Sequence, residues 1–367
     1  MSLKAGIVGL PNVGKSTLFS ALTKKQVEAS NYPFTTIEPN ISTVALKDDR
    51  LDKISQLVKP NKIIHATFDF VDIAGLVQGA SKGEGLGNKF LTNIREVDAI
   101  IHVVRCFEDK GIIHVNNSIN PLRDLEVINY ELILADLETL NNVINRITKK
   151  AKSGDKEAIF EYNVALKIKE NLEKETSARD IELSDEELKA IKSYQLLSLK
   201  PMIYVANLSA EQLQNLEDPN SWFYKLKNHF NNKVKVIPIC VQVESELVLI
   251  DDEKEAKEFL GIYNIETSGL DLLTRNAFDL LRLETYFTAG VQEVRAWVYK
   301  KGTAAPGAAG IIHSDFENKF IKAEIISYND FINFDGEQGA KTAGKLRQEG
   351  KNYIMKDGDI CHFKFGK

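Results

Sequence analysis

The chain has 367 residues, 43% hydrophobic and 27% charged, with a formal net charge of −5. That length holds two or three domains of ordinary globular composition, and the acidic balance excludes a global basic field for nucleic acid. Cys106, Cys240 and Cys361 are odd in number and far apart. They exclude a disulfide framework, match no metal spacing and point to a reducing, cytoplasmic setting. No apolar run approaches the ~20 residues of a membrane span. Because the N-terminus enters a strand almost at once, no secretory signal is expected.

The first predicted strand is Lys4–Val8. It runs into GLPNVGKS (9–16) and then a helix-compatible run from Thr17. G-x-x-x-x-G-K-[ST] between a strand and a helix is a phosphate-binding loop. Its glycines let backbone N–H groups surround phosphate oxygens, and the helix N-terminus faces the same anion. The expected nucleotide-binding set is Asn12, Val13, Gly14, Lys15, Ser16 and Thr17. Lys15 would reach the β- and γ-phosphates and Ser16 would bind Mg²⁺.

Further strands are predicted over 42–46, 67–71, 99–105, 201–206 and 234–239. Short apolar runs of this kind suit a mostly parallel sheet buried on both faces. Between the first two strands lies NYPFTTIEPN (31–40). A Thr here completes the Mg²⁺ shell in switch-type NTPases, with Thr36 the first choice and Thr35 the alternative. The third strand ends in Asp72-Ile73-Ala74-Gly75. Asp72 would hold Mg²⁺ through water, and the glycine N–H would sense the γ-phosphate. Leu76 stands where Ras-like enzymes place the Gln that orients water, so intrinsic hydrolysis should be slow. GEGLG (83–87) lacks dinucleotide-site spacing and reads as a switch segment.

Residues 122–200 change character. Leu125, Ile128, Leu132, Ala135 and Leu140 recur at helical spacing, and Ala158, Val164, Ala165 and Ile168 suggest a second helix. Ser184 with Glu187 forms a capping box before a third, which Leu188, Ile191 and Gln195 continue and Pro201 ends. This is a helical insertion, either a coiled-coil-like hairpin or a lid. From about Leu283 strands recur over 294–299, 320–327, 353–355 and 360–365, with GTAAPGAAG (302–310) as a loop. They make a small α+β domain.

After the strand at 201–206 comes Asn207-Leu208-Ser209-Ala210. Guanine-specific relatives carry N-K-x-D here, where the Asp accepts from the guanine N1–H and 2-amino group. Ala210 supplies no acceptor, which turns base choice towards adenine. Asn207 can still hydrogen-bond an adenine edge. Two groups could replace the missing catalytic Gln. Asn12 lies where K⁺-activated relatives use an Asn to bind that ion, though a turn residue would look the same. His114, in the loop after the fourth strand, could orient or deprotonate water. His102, inside AIIHVVR, reads as a core histidine. His313-Ser314-Asp315 cannot form a triad from consecutive residues.

GLPNVGKST, NYPFTTIEPN, FVDIAGLVQGASKGEGLGNKFL and FTAG…EVRAW…KGTAAPGAAGIIHSDF together resemble the YchF/Obg-like ATPase 1 family, within the translation-factor class of P-loop GTPases. The resemblance spans the chain. It implies an OBG-type nucleotide domain (1–121 and 201–283), a helical insertion (122–200) and a C-terminal TGS domain of β-grasp fold (284–367). It also implies ATP over GTP, with Asn207 and Leu208 at the base, catalysis by His114, Asn12 and Lys15, and Mg²⁺ on Ser16, Thr36 and Asp72. K⁺ is the second cation considered. The implied partners are ATP, ADP and the ribosome (large subunit or 70S) with its RNA, reached through the TGS and helical domains. Lys341, Lys345, Arg347, Lys351 and Lys356, opposed in sequence by Glu349, form the basic run that would contact phosphate, unless they are a solvated helix face. Two other classes remain open at this point: an ATP-dependent binding module and a small-molecule kinase. The switch pair of Thr36 and D-x-x-G disfavours the kinase.

Overall fold

The computed structural model describes residues 3–25, 40–73, 86–109, 111, 118–230 and 234–366. The chain forms two compact units, Met1–Lys24 with Phe70–Leu270, and Lys25–Asp69 with Asp271–Lys367. The segment 25–69, expected with the nucleotide domain, groups with the C-terminal part.

In the first unit, β1 (Lys4–Val8) is followed by α1 (Lys15–Lys24). The next strands of this unit are the end of β4 (Ala66–Asp72), β5 (Ala99–Arg105), β6 (Met202–Asn207) and β7 (Val236–Ile239), in the order β4-β1-β5-β6-β7. Pairing is parallel, with Val8 opposite His102, Arg105 opposite Asn207 and Asn207 opposite Ile239. Every residue of β5 and β6 is buried. This is why both read as unbroken apolar runs rather than as an alternation. Pro238 is tolerated because β7 is an edge strand. Strands β1 and β5 match their predicted bounds, and the others lie within two residues of theirs. Leu86 and Gly87, expected in a switch segment, begin helix α3 (Leu86–Arg95).

The insertion is α4 (Pro121–Lys152), α5 (Lys156–Leu172) and α6 (Asp185–Ile191). Asn120 caps α4 on the Arg123 N–H, with Pro121 in its first turn. At 1.5 Å per residue α4 is about 48 Å long. Gly154 turns the chain at φ +88°, and Asp155 caps α5 on the Ala158 N–H. Leu140, Val143 and Ile147 of α4 pack on Val164, Ala165 and Ile168 of α5, with Ile191 and Tyr194 closing the cluster. A shared core of three elements, rather than a two-helix heptad seam, therefore holds the hairpin. The Ser184–Glu187 capping box is present. Pro201 does not end the last helix: α6 stops at Ile191, a 3₁₀ turn follows, and Gln195 is left-handed at φ 50°. Among the described residues the unit also holds α7 (Ala210–Leu213), α8 (Trp222–His229), α9 (Val241–Leu247) and α10 (Glu253–Ile262). Helix α11 (Gly269–Leu280) starts in this unit, where the Glu244 carboxylate accepts from the Gly269 N–H at 2.6 Å.

The second unit holds β2 (Ile41–Leu46) beside β4, then α2 (Asp49–Val58) and β3 (Lys62–Ile64). Its C-terminal strands are β8 (Leu283–Ala289), β9 (Glu293–Lys300), β10 (Phe320–Ser327), β11 (Arg347–Glu349) and β12 (Asp359–Phe365). The sheet order is β11-β10-β12-β8-β9-β3. Thus β3 pairs in parallel with β9, Ile63 opposite Val294, which ties the early segment to this unit. The helices are α12 (Ala305–Ile312), α13 (Ser314–Asn318), α14 (Tyr328–Asn333) and α15 (Glu337–Thr342).

The expected loop at 302–310 is corrected: most of it is α12. Pro306 suits the first turn, and the small residues Ala305, Ala308 and Ala309 are fully buried, bringing the helix close to Tyr286, Phe320 and Phe363. Tyr286 donates to the Ala308 carbonyl at 2.9 Å. Residues 353–355 form no strand; Ile354 makes an isolated bridge to Ala304. Arg50 of α2 bonds Asp48, Asp357 and Thr285 and lies over Phe287. The basic run at 341–356 is partly neutralised within the fold. Lys345 lies 3.8 Å from Asp330, and Arg347 lies 3.6 Å from Asp359. All three cysteines are free and buried.

Candidate nucleotide-binding site

Parallel pairing brings the C-terminal ends of β1, β5, β6 and β7 to one edge, where open α/β sheets bind ligands, and Asp72 at the end of β4 reaches Lys15 there. The loop after β1 is shaped by its backbone. Asn12 and Gly14 have φ of 63° and 97°. Asn tolerates the left-handed region better than other non-glycine residues. A side chain at Gly9 would meet the Val103 carbonyl oxygen at 2.7 Å, and one at Gly14 would strike the Asn207 amide. These two glycines are therefore fixed by close approach. Val13 is buried and anchors the loop, while Asn12, Ser16 and Thr17 are exposed. The Leu18 N–H bonds the Gly14 carbonyl at 2.9 Å as α1 begins.

Lys15 forms an ion pair with Asp72. The ammonium that would meet phosphate and the carboxylate that would serve Mg²⁺ therefore share one site. The hydroxyl of Ser16 and the carboxylate of Asp72 are hard oxygen donors. They fit a cation that takes one or two protein ligands and completes its shell with phosphate and water. Thr35, Thr36, Gly75, Leu76 and His114 lie outside the described residues.

Asn207 is 1% exposed. Its side-chain nitrogen donates to the Val13 carbonyl at 2.9 Å, and its side-chain oxygen accepts from the Val241 N–H at 3.3 Å. The sequence reading placed it at the base. The structure gives it a bracing contact as well: it ties the phosphate loop to the start of α9. Leu208 is buried, and its N–H bonds the Ile239 carbonyl at 2.8 Å. Ser209 and Gln212 form a second capping box, unforeseen from sequence, which sets Ala210 as the first residue of α7. Gln212 also donates to the Cys106 carbonyl at 3.0 Å.

Arg105 was missed by sequence reasoning. Although 1% exposed, it donates to the carbonyls of Phe107 at 3.0 Å and Asp109 at 3.3 Å, and it stacks 4.7 Å from the Phe107 ring. It shapes the turn at Phe107–Asp109, which precedes His114 in the sequence. A cation closing an apolar strand at the ligand edge was the available signal. His102 is wholly buried, and burial, with Arg179 adding to it, lowers its pKa to about 3. It is a neutral core residue, as read from the sequence. His313 accepts from the Asp315 N–H as the cap of α13, a structural task unlike that of a triad.

Two family models match the chain. MMR_HSR1, described as "50S ribosome-binding GTPase", matches residues 4–135, and YchF-GTPase_C, "Protein of unknown function (DUF933)", matches residues 283–366. The chain is 54% identical to a "Ribosome-binding ATPase YchF" of Haemophilus influenzae, covering 100% of this chain and 99% of that protein. It is 51% identical to the protein of the same name from Bacillus subtilis, covering 100% of both. Among solved structures, "Structure of the Schizosaccharomyces pombe YchF GTPase" aligns with a TM-score of 0.89 at 38% identity, over 99% of this chain and 98% of that one. With relatives this similar over the whole length and the same fold, the chain belongs to the YchF family.

Proposed function

We propose that the protein is a ribosome-binding ATPase that hydrolyses ATP slowly to ADP and phosphate, as a switch in translation or stress response. The observation that carries the choice of ATP is the segment Asn207–Ala210. The guanine N1–H and 2-amino donors need an acceptor, yet Ala210 offers a methyl group, and the side-chain oxygens of Ser209 and Gln212 bond each other's backbone. The first carboxylate, Glu211, comes one residue later on α7 and is exposed. A base site without that acceptor discriminates weakly for guanine. Adenine would meet Asn207 and Leu208. The relatives' names support the ribosome as partner. For the C-terminal domain the reading is a TGS-type module.

Lys15 and the loop amides would bind and orient the β- and γ-phosphates. Ser16, Asp72 and Thr36 would hold Mg²⁺, which when bound neutralises charge on the transferring phosphoryl group. His114 would orient the attacking water. Asn12 would supply a ligand for K⁺. The localisation proposed is cytoplasmic; no helix among the described residues is long and apolar enough to cross a membrane.

The test is titration of ATP against GTP at matched Mg²⁺ and K⁺, and a strong GTP preference would overturn the base assignment. Sedimentation with ribosomes in ATP, a non-hydrolysable analogue and ADP tests the switch. Association indifferent to nucleotide would leave only a binding module. His114→Ala should lower turnover and spare ATP affinity.

A further inference from the structure

Glu244, three residues after Val241 at the start of α9, is buried and only 1% exposed. One carboxylate oxygen accepts from the Gly269 N–H at 2.6 Å, and the other lies 3.4 Å from the Leu270 N–H. These N–H groups open α11, where no bond within the helix can reach them. A negative group there also meets the positive end of a 12-residue helix. Helices α2, α4, α5 and α10 take their caps from the residue just before them, Asp48, Asn120, Asp155 and Asp252. Helix α11 takes this carboxylate from 25 residues earlier in the chain. A buried carboxylate is costly unless its oxygens are bonded, so the contact fixes where α9 lies against the first turn of α11.

That turn is itself seated on the sheet. A side chain at Gly269 would meet Ile239 at 2.9 Å and the Glu244 carboxylate at 3.1 Å. Ile239 ends β7 and lies opposite Asn207 of β6. At its other end α9 meets the phosphate loop. A side chain at Gly14 would meet a Val241 methyl group at 3.3 Å. Asn207 donates to the Val13 carbonyl and accepts from the Val241 N–H, the latter at 3.3 Å. A bond of that length is already beyond the usual N–H···O range, so it survives only while α9 is held in place. Glu244 holds it, one turn further along.

We propose that Glu244 is a positioning residue for the phosphate loop. By fastening α9 to the first turn of α11 it keeps Val241 against Asn207, and thereby keeps Asn207 on Val13. By linkage, a nucleotide that orders the loop tightens the Glu244 contact in return. The inference rests on the nucleotide-site reading but not on the choice of base.

The experiment is a double-mutant cycle. ATP affinity is measured by calorimetric titration for the natural chain, Glu244→Ala, Asn207→Ala and the pair. Should GTP prove the tighter ligand, the same four proteins are titrated with GTP. Glu244→Ala alone should weaken binding by roughly fivefold. Added to Asn207→Ala it should weaken binding by less than about twofold, because the route through Asn207 is already broken. Its loss of melting temperature should appear in both backgrounds. Glu244→Gln, which keeps an oxygen for the Gly269 N–H, should recover most of the affinity. Equal loss of affinity in both backgrounds, or unchanged affinity in Glu244→Ala, reduces Glu244 to a cap of α11 and overturns the proposal. Hydrogen exchange needs no stable Glu244 variant. The peptide containing Gly269 and Leu270 should be better protected with ATP bound than without nucleotide, and this gain should vanish in Asn207→Ala at saturating ATP. No gain in the natural chain, or the same gain in Asn207→Ala, also overturns the proposal. Failure of the natural chain to bind either nucleotide would overturn the nucleotide-site reading itself, whereas additive losses would overturn this inference alone.

Discussion

The side-chain nitrogen of Asn207, at the end of β6, donates to the backbone carbonyl of Val13 inside the phosphate loop at 2.9 Å. The same amide accepts from the Val241 N–H, so one buried side chain fixes three segments of the ligand edge. Asn207→Ala leaves the Val13 carbonyl and the Val241 N–H without these bonds, at a cost of about 1–3 kcal/mol. The expected outcome is a lower melting temperature together with an ATP affinity reduced by roughly tenfold, read by calorimetric titration. Unchanged affinity in a destabilised protein would mean that the loop holds its shape unaided.

Base choice can be rebuilt. Leu208→Lys with Ala210→Asp restores the N-K-x-D pattern on a backbone already set by the Ser209–Gln212 capping box. The ratio of GTP to ATP affinity should rise by about tenfold or more, since a carboxylate then meets the two guanine donors. Competition binding measures the ratio directly.

Asp72→Asn removes the charge that faces Lys15. The pair is partly exposed, so stability should change by no more than about 1 kcal/mol. Turnover should fall by roughly a hundredfold, and the Mg²⁺ concentration for half-maximal rate should rise. A steady-state Mg²⁺ titration separates these effects.

His102 yields a pH prediction. Burial lowers its folded pKa to about 3, against about 6.5 in an unfolded chain. The unfolded state therefore binds one more proton between these values. Stability is fully present above about pH 6.5 and declines as pH falls, by at most about 1.4 kcal/mol per pH unit from this group. His102→Leu should flatten that slope in urea unfolding between pH 4 and 6.5, and should leave ATP turnover near the starting level.

Arg105→Met should loosen the turn over Phe107 and Asp109. Since that turn precedes His114, the residue proposed to orient water, turnover should drop by about tenfold or more with ATP affinity held, because misplacement of a reacting group costs rate before binding. Equal loss in both would assign Arg105 to general stability.

Much of the nucleotide unit was legible because its demands fall on residue type. Gly9 and Gly14 are required by close approach, and Lys15 and Asp72 by charge. Strands β5 and β6, buried on both faces, could hardly be anything but apolar runs. What escaped notice was bonding to backbone. Arg105 and Gln212 bind carbonyls, and a carbonyl leaves no mark in the sequence of its partner. Strand β3 escaped because three residues carry no periodicity, and its partner β9 is remote in the chain. Helix α12 was misread because the composition that makes a flexible loop also makes a helix thin enough to lie close on a sheet. The basic run at 341–356 looked freer than it is because Asp330 and Asp359 come to it from other elements.

The burial of Cys106, Cys240 and Cys361 has a practical consequence. Loss of water around each pushes its thiol above the ordinary range, and thiolates are the species that alkylating reagents capture. The natural chain should be nearly silent to maleimides while folded. A single cysteine introduced at exposed Lys351 or Glu337 would then be the one reactive point, so distances and motions could be followed by fluorescent or spin labels without first removing a native thiol.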